Sequence, residues 1–295
     1  MEKFYTSKYD RPFKEIFLKE KNKDLLKSLL ETILEIEINN IEIRPTERNN
    51  GNINIKRKTF DALVYTNNKK IEIEVNNNIK DYTRVRNMAY ISDIYASNTL
   101  KGEIYTEEID IIQINLTYGM KDSEKYRIYK IQDKYLKEYV KNLYIYEINM
   151  DYYKEIWYTN SEEEIEKNKY ILMLDLNKEE LKKLEKISKD ERVGKYMEEI
   201  EKLNEDIEFR RFMSEEEDLK KQYNTEIYLA TKKGSEKGIE KGIIKGKKEG
   251  IIEGKEVGKK EEKTNIVKEM LKNNLDIDLI IKITGLSKEE IENLK

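Results

Sequence analysis

Asp61 stands in the segment TFDALVYT and Glu74 in KKIEIEV, and Asn67-Asn68 separates the two. Both segments alternate apolar and polar residues with period two, the pattern of half-buried strands, and an Asn-Asn pair between them suits a tight hairpin turn. With the turn centred between Asn67 and Asn68, positions 61 and 74 fall opposite each other. Glu72, Glu74 and Asn76 then share one face of their strand, and Ile71, Ile73 and Val75 the other. Two carboxylates that can meet at one ion suit a hard divalent cation: Mg²⁺ takes one or two carboxylates and keeps water and substrate phosphate for the rest of its shell. The same alternation is ordinary on the wet face of an antiparallel sheet, and the pattern alone leaves both readings open.

Composition narrows the chemistry around that pair. The 295 residues include no His and no Cys, which excludes a thiol nucleophile, an imidazole base, a disulfide and a Cys/His zinc site. Hydrolysis at neutral pH is then left to carboxylates and a metal. Charged residues make up 40% of the chain, yet 57 Lys+Arg against 60 Asp+Glu leave a net charge of −3, which argues against a uniformly basic DNA-coating protein. The excess of Lys, Ile, Asn and Tyr matches the codon bias of an AT-rich genome. No apolar run is long enough for a membrane span, and MEKFYTSKYDR lacks the apolar core of a signal peptide, so the expected compartment is the cytoplasm, with no membrane partner.

The elements that must position the pair can be read from the hydrophobic period. Residues 12 to 38 carry apolar side chains at spacings of three and four and predict a helix, with Pro12 in its first turn. IEIRP, TFDALVYT and KKIEIEV predict a short antiparallel meander. A helix from about 81 to 98 follows, with Val85, Met88, Ile91, Ile94 and Tyr95 as its apolar face and Gly102 as its stop. IDIIQINLTYG (109–119) reads as a buried strand, and YRIYKIQ (126–132) and NLYIYEINM (142–150) extend the sheet. The chain then turns helical, with dense Glu and Lys that read as solvated faces.

From 234 to 258 seven glycines recur at a strict interval of four, within a stretch (232–263) of 11 Lys and 7 Glu. As a helix this repeat is marginal, because each interior Gly costs about 1 kcal/mol against Ala. A tether, or self-association into a homo-oligomer through the C-terminal helices, is the expected role, ahead of a weak polyanion contact. The last 32 residues predict short helices with a small apolar face, and Ser287 with Glu290 spells a capping box. Gly285-Leu286-Ser287 resembles the turn of a helix-turn-helix, although Glu289, Glu290 and Glu292 in the next helix have the wrong sign for phosphate. Four regions are expected: a core over 1–155, a helical extension over 156–232, the Gly-repeat segment over 233–263 and a small helical unit over 264–295.

The order helix, Asp-bearing strand, strand ending in Glu-x-polar, helix, strand is that of a PD-(D/E)xK nuclease core. The chain resembles the Rpn family of recombination-promoting nucleases and transposases within that superfamily. The resemblance rests on Asp10-Arg11-Pro12-Phe13-Lys14 with Phe17, which is similar to the family's Asp-x-x-Phe-Lys opening. It rests further on Asp61, on Glu74-Val75-Asn76 where the family usually has Glu-x-Gln, on Arg86 with Tyr90 and Tyr95, and on Leu100-Lys101-Gly102-Glu103-Ile104-Tyr105. The Gly-repeat tail and the closing helical unit are features such proteins commonly show. The resemblance implies an α/β restriction-endonuclease-like fold, a mixed sheet flanked by helices with a mainly helical C-terminal region. It also implies a DNA endonuclease with Mg²⁺ as cofactor (Mn²⁺ as substitute), associated with recombination or mobile elements. The alternative is the same fold without cleavage, acting as a nucleic-acid-binding or self-associating protein.

In such a site Asp61, Glu74 and the backbone carbonyl of Val75 would hold the metal, and Asn76 would stand for the residue that orients water or phosphate. Asn76 is one methylene shorter than Gln and carries no charge. Glu72 could assist but is expected to be solvent-exposed, and Glu15 is a candidate for an additional helix carboxylate. Lys80, Arg84 and Arg86 could touch phosphate or be ordinary surface charges.

Overall fold

The computed structural model describes residues 3–48, 58–66, 68–77, 79–98, 104–120 and 123–294. The chain opens with α1 (Asp10–Phe17) and α2 (Lys23–Leu34), separated by a 3-10 turn over Glu20–Asn22. The single helix expected over 12–38 is therefore two. The break is fixed by Asn22, fully buried, whose side-chain amide donates to the Ile16 carbonyl at 2.9 Å and takes up an acceptor that α1 leaves open at its end. Strands β1 (Glu42–Arg44), β2 (Glu47–Arg48), β3 (Lys58–Thr59), β4 (Ala62–Tyr65) and β5 (Lys69–Asn76) follow, then α3 (Thr83–Ala96), β6 (Asp110–Thr117), β7 (Tyr126–Tyr129) and β8 (Leu143–Asn149). β2 and β3 pair only with each other, and the other six form one mixed sheet in the order β1-β4-β5-β6-β8-β7.

The antiparallel register of β4 and β5 pairs Ala62 with Ile73 and Tyr65 with Lys70, so the expected hairpin register holds. Of its turn, Asn67 lies outside the described residues, as do positions 99–103 with the expected stop at Gly102. β5, β6 and β8 run parallel, with α3 as the crossover between β5 and β6.

The two faces of the sheet differ. Ile71, Ile73 and Val75 of β5 and Ile112, Ile114 and Leu116 of β6 face a large apolar core shared with α1, α2, α4 (Met150–Thr159), α5 (Glu162–Leu172), α6 (Lys178–Ile187) and α7 (Glu191–Glu205). These last helices belong to the same compact unit as the sheet, which spans Met1–Phe212 and so passes the boundary expected at 155. The chain ahead of α1 is tied to α7: Asn204 accepts from the Tyr5 N–H at 2.7 Å and donates to its carbonyl at 2.9 Å, and Tyr196 donates to Ser7 at 2.9 Å. That clamp sets where α1 presents its polar side. On the opposite face α3 covers a smaller cluster of Phe60, Leu63, Ile91, Ile94, Ile111 and Leu143. Val85 and Met88, expected on the apolar face of α3, are exposed, because the buried line of this helix runs Thr83, Asn87, Ile91 and Ile94.

The second unit spans Met213–Lys295. Helix α8 (Ile207–Lys272) runs through the whole glycine repeat, and a methyl group added at any of the seven glycines meets no atom within 4 Å. Gly246→Ala with Gly250→Ala should therefore raise helicity, by about 1 kcal/mol of helix stability each. Circular dichroism through a thermal ramp reads this, and a loss of helicity would show that the glycines serve a close contact between chains. α9 (Ile277–Thr284) and α10 (Lys288–Glu292) close the chain around Val267, Ile280 and Ile291. Gly285 ends α9 with φ 68°, and the expected Ser287–Glu290 capping box is present.

Candidate active site on strands β4 and β5

Asp61 lies one residue before β4 and Glu74 near the end of β5, both buried. Each carboxylate reaches across to the other's backbone: Glu74 Oε1 accepts from the Asp61 N–H at 3.3 Å, and Asp61 Oδ2 from the Val75 N–H at 2.8 Å. The N–H and C=O of one strand residue leave on the same edge, so the Val75 carbonyl also projects toward Asp61. Glu72, expected at the surface, is fully buried behind Glu74, since α3 and the neighbouring strand close over this face.

The polar row continues onto β6 and β8. Glu72 pairs in register with Gln113, Glu74 with Asn115 and Asn76 with Thr117, and Asn115 in turn with Glu147. Gln113 Nε2 donates to Glu72 Oε2 at 2.5 Å and to the Asn87 carbonyl at 2.7 Å, and Asn87 Nδ2 donates to Asn115 Oδ1 at 2.6 Å. Burial of so many polar groups is tolerated because they satisfy one another. Glu72 and Glu74 share a side-chain hydrogen bond, and Asn76 Nδ2 stays without a partner.

Cations flank the acids from two helices. From α1, Lys14 Nζ lies 3.0 Å from Asp61 Oδ1 and 2.6 Å from Asp10 Oδ1. From α3, Arg86 Nη2 donates to Asn76 Oδ1 at 2.6 Å, to Asn87 Oδ1 at 3.0 Å and to Glu74 Oε2 at 3.3 Å. Arg84 points the other way, to Glu147 Oε2 at 2.9 Å. Lys80 is exposed, and its backbone N–H donates to Thr83 Oγ1 at 2.9 Å. Glu15 stays out of the site: it pairs with Arg11 at 2.9 Å and with Lys19 at 3.9 Å along the surface of α1. The structure thus brings together Asp61, Glu72, Glu74, Val75, Asn76 and Arg86, and leaves Glu15, Lys80 and Arg84 elsewhere.

The carboxylates crowd one another. Burial, then the charge of Glu74, pushes Asp61 well above the ordinary carboxylate range. Burial pushes Glu72 up to about 8, and burial with the neighbouring Glu72 charge pushes Glu74 up to about 9. Burial pulls Lys14 down, but the carboxylates of Asp61 and Asp10 outweigh it and hold its ammonium above the usual value. Such a cluster favours a proton or a cation. Among the described residues no three His, Cys, Asp or Glu side chains form a ready metal cluster; what Asp61, Glu74 and Val75 could offer a cation is a carboxylate pair and a carbonyl. Hard oxygens of that kind suit Mg²⁺, which takes one or two carboxylates and completes its shell with water and phosphate.

Sequence reasoning passed over Lys14 as a site residue, together with Asn87, Gln113, Asn115 and Glu147. A signal was available: Gln113, Asn115 and Thr117 alternate with isoleucine and leucine in a strand otherwise read as buried through and through.

The chain matches two family models. The PD-(D/E)XK nuclease family transposase matches residues 7–232, and the C-terminal helix-turn-helix domain of the Rpn/YhgA-like nuclease family matches residues 260–295. No curated protein and no solved structure matches it. Among the described residues no helix is long and apolar enough to cross a membrane. The first match covers the whole sheet, both flanking layers and the Asp61–Glu74 site: the chain belongs to the PD-(D/E)XK nuclease family transposases and carries an Rpn/YhgA-like helix-turn-helix domain at its C-terminal end.

Proposed function

We propose that the chain is a Mg²⁺-dependent DNA endonuclease that hydrolyses phosphodiester bonds at Asp61 and Glu74, acting in the cytoplasm in recombination or mobile-element traffic. The observation that carries this reading is the reciprocal bonding of Asp61 and Glu74 to each other's backbone, which fixes two buried carboxylates at the end of β5. Their oxygens and the Val75 carbonyl would hold the ion. A divalent cation there supplies a lowered pKa for bound water and neutralises charge developing on the scissile phosphate.

The chain's own residues do the rest. Asn76 Nδ2, buried and without a partner, is a donor available to a water or a phosphate oxygen, while Arg86 holds the amide by its oxygen. Asn76 brings no charge; Lys14, against Asp61, supplies the cation this position lacks. Arg86 bridges Glu74 and Asn76 and so keeps ligand and donor in one orientation. Glu72 anchors the network through Gln113. The helix-turn-helix match supports DNA as the partner, with Glu290 engaged in its capping box and not directed outward as a free charge.

Supercoiled plasmid incubated with the full chain and Mg²⁺ or Mn²⁺ should convert to open circle, and EDTA should stop the conversion. Plasmid that is bound but never nicked with either metal would overturn the endonuclease reading in favour of a non-cleaving nucleic-acid-binding protein of the same fold.

A further inference from the structure

Residues 125–146 hold six of the 21 tyrosines and six Lys or Arg against two acidic residues, in a chain whose net charge is −3. Here the tyrosines are placed, not scattered. β7 is the edge of the sheet, and beyond it the chain makes a tight hairpin whose arms meet at the Gln132–Glu138 bridge and at the Tyr139 N–H to Ile131 carbonyl bond of 2.9 Å. Asp133 ties the turn together: its Oδ1 accepts from the N–H of Tyr135 at 2.8 Å and of Lys137 at 3.0 Å, and its own N–H donates to the Lys137 carbonyl at 2.9 Å.

At the tip Leu136 has φ 66°, a left-handed conformation that a leucine adopts only when its surroundings impose it. The turn presents apolar surface to solvent: Tyr135, Leu136 and Tyr139 are 77%, 73% and 85% exposed. A hairpin built only for stability has no use for three such side chains in water. Lys134 and Lys137 flank them and make no ion pair among the described residues; Lys134 Nζ lies 4.9 Å from the Tyr135 ring centroid. Exposed rings interleaved with cations suit an unpaired nucleic-acid strand, because every base offers a face to stack on and every phosphate a charge to meet.

The hairpin continues β7 past Tyr129 toward the level of the start of β5, while β7 itself lies level with the acids. On the α3 face of the sheet, Tyr129 pairs with Ile145, Ile145 with Gln113 and Gln113 with Glu72. Three strand spacings, about 14 Å, separate β7 from β5. A groove lined by Arg84, Met88, Tyr129, Ile145 and Glu147 runs between them.

We propose that the 131–139 hairpin, through Tyr135, Leu136 and Tyr139 with Lys134 and Lys137, is a stacking platform for an unpaired DNA strand. The inference rests on the endonuclease reading for the choice of DNA, but binding can be measured without cleavage. Fluorescence anisotropy in EDTA, with the full chain and labelled oligonucleotides, tests it. The full chain also carries the helix-turn-helix domain, so wild type and variants are compared on each probe, and duplex binding should be the same in all of them. Tyr135→Ala with Tyr139→Ala should weaken single-strand binding by about 10-fold or more, while the Tyr→Phe pair should bind like wild type, since stacking needs the ring and not the hydroxyl. Equal single-strand affinity for wild type and the alanine pair, or an equal loss on duplex in the alanine pair, would overturn the proposal. A chain that nicks plasmid normally but whose alanine pair binds unchanged refutes the platform alone. A chain that loses strand binding in the alanine pair but never nicks plasmid refutes the nuclease reading alone.

Discussion

Asp61→Asn should lower metal-dependent plasmid nicking by about 10³-fold or more, a barrier increase of about 4 kcal/mol, while the fold stays intact. The asparagine is the same size, and its side-chain oxygen can still accept the Val75 N–H that Asp61 Oδ2 now accepts. What it cannot supply is a second anionic oxygen, so the loss falls on the ion and not on the strand. Glu74→Gln should behave alike, because the Asp61 N–H and Arg86 both bond to Glu74 oxygens that an amide replaces only in part. Lys14→Met should cost less, about 10- to 100-fold, and Lys14→Arg should recover part of it, if the ammonium beside Asp61 replaces the charge Asn76 lacks. Initial rates of nicking over a Mg²⁺ titration measure all four. Asp61→Asn with wild-type rate would remove Asp61 from the chemistry, and Lys14→Met with wild-type rate would return Lys14 to a purely structural ion pair.

Much of this site was legible in the sequence because its signal is local. Two strands separated by a two-residue turn leave little freedom of register, and a shift of one residue would put every apolar side chain of β5 in the wrong layer. The pairing of 61 opposite 74 follows from that constraint. Contributions from distant segments were not legible. Lys14 reaches Asp61 only because Asn204 and Tyr196, late in the chain, hold the segment ahead of α1. Glu72 looked solvated because alternation describes a strand's faces but not what covers them. Here α3 covers the polar face with Asn87 at a position that helical periodicity alone assigned to Val85 and Met88. That misreading has one physical cause: the buried stripe of α3 carries a threonine and one amide at one end and isoleucines at the other, so the apolar residues alone do not trace it.

The same crowding of acids predicts an unusual response to pH. Burial raises Glu72 to about 8 and Glu74 to about 9, against an ordinary value of 4.5, and raises Asp61 as well. Between about pH 5 and 9 the folded protein therefore holds protons that the unfolded chain has released. Stability falls with rising pH wherever the native state binds more protons, so the metal-free protein should be more stable at pH 6 than at pH 9, a range in which carboxylates held by salt bridges would leave stability unchanged. One pKa unit corresponds to about 1.4 kcal/mol, and the pair shares its burden, so the loss from pH 6 to 9 should be about 2 to 5 kcal/mol, or about 5 to 15 °C in Tm. Trp157, the single tryptophan, packs against the core of the sheet-bearing unit, and its fluorescence follows that unit's unfolding. Glu72→Gln should flatten the slope and raise Tm at pH 9, because the amide keeps an acceptor for Gln113 Nε2 and carries no charge to desolvate. Mg²⁺ should flatten it too in wild type, since an ion bound by Asp61 and Glu74 meets the charge that the proton otherwise neutralises. A Tm that rises from pH 6 to 9 without metal, or an unchanged slope in Glu72→Gln, would show that these carboxylates are not competing for charge in the folded state. The affinity expected for a cation would then lose its physical source.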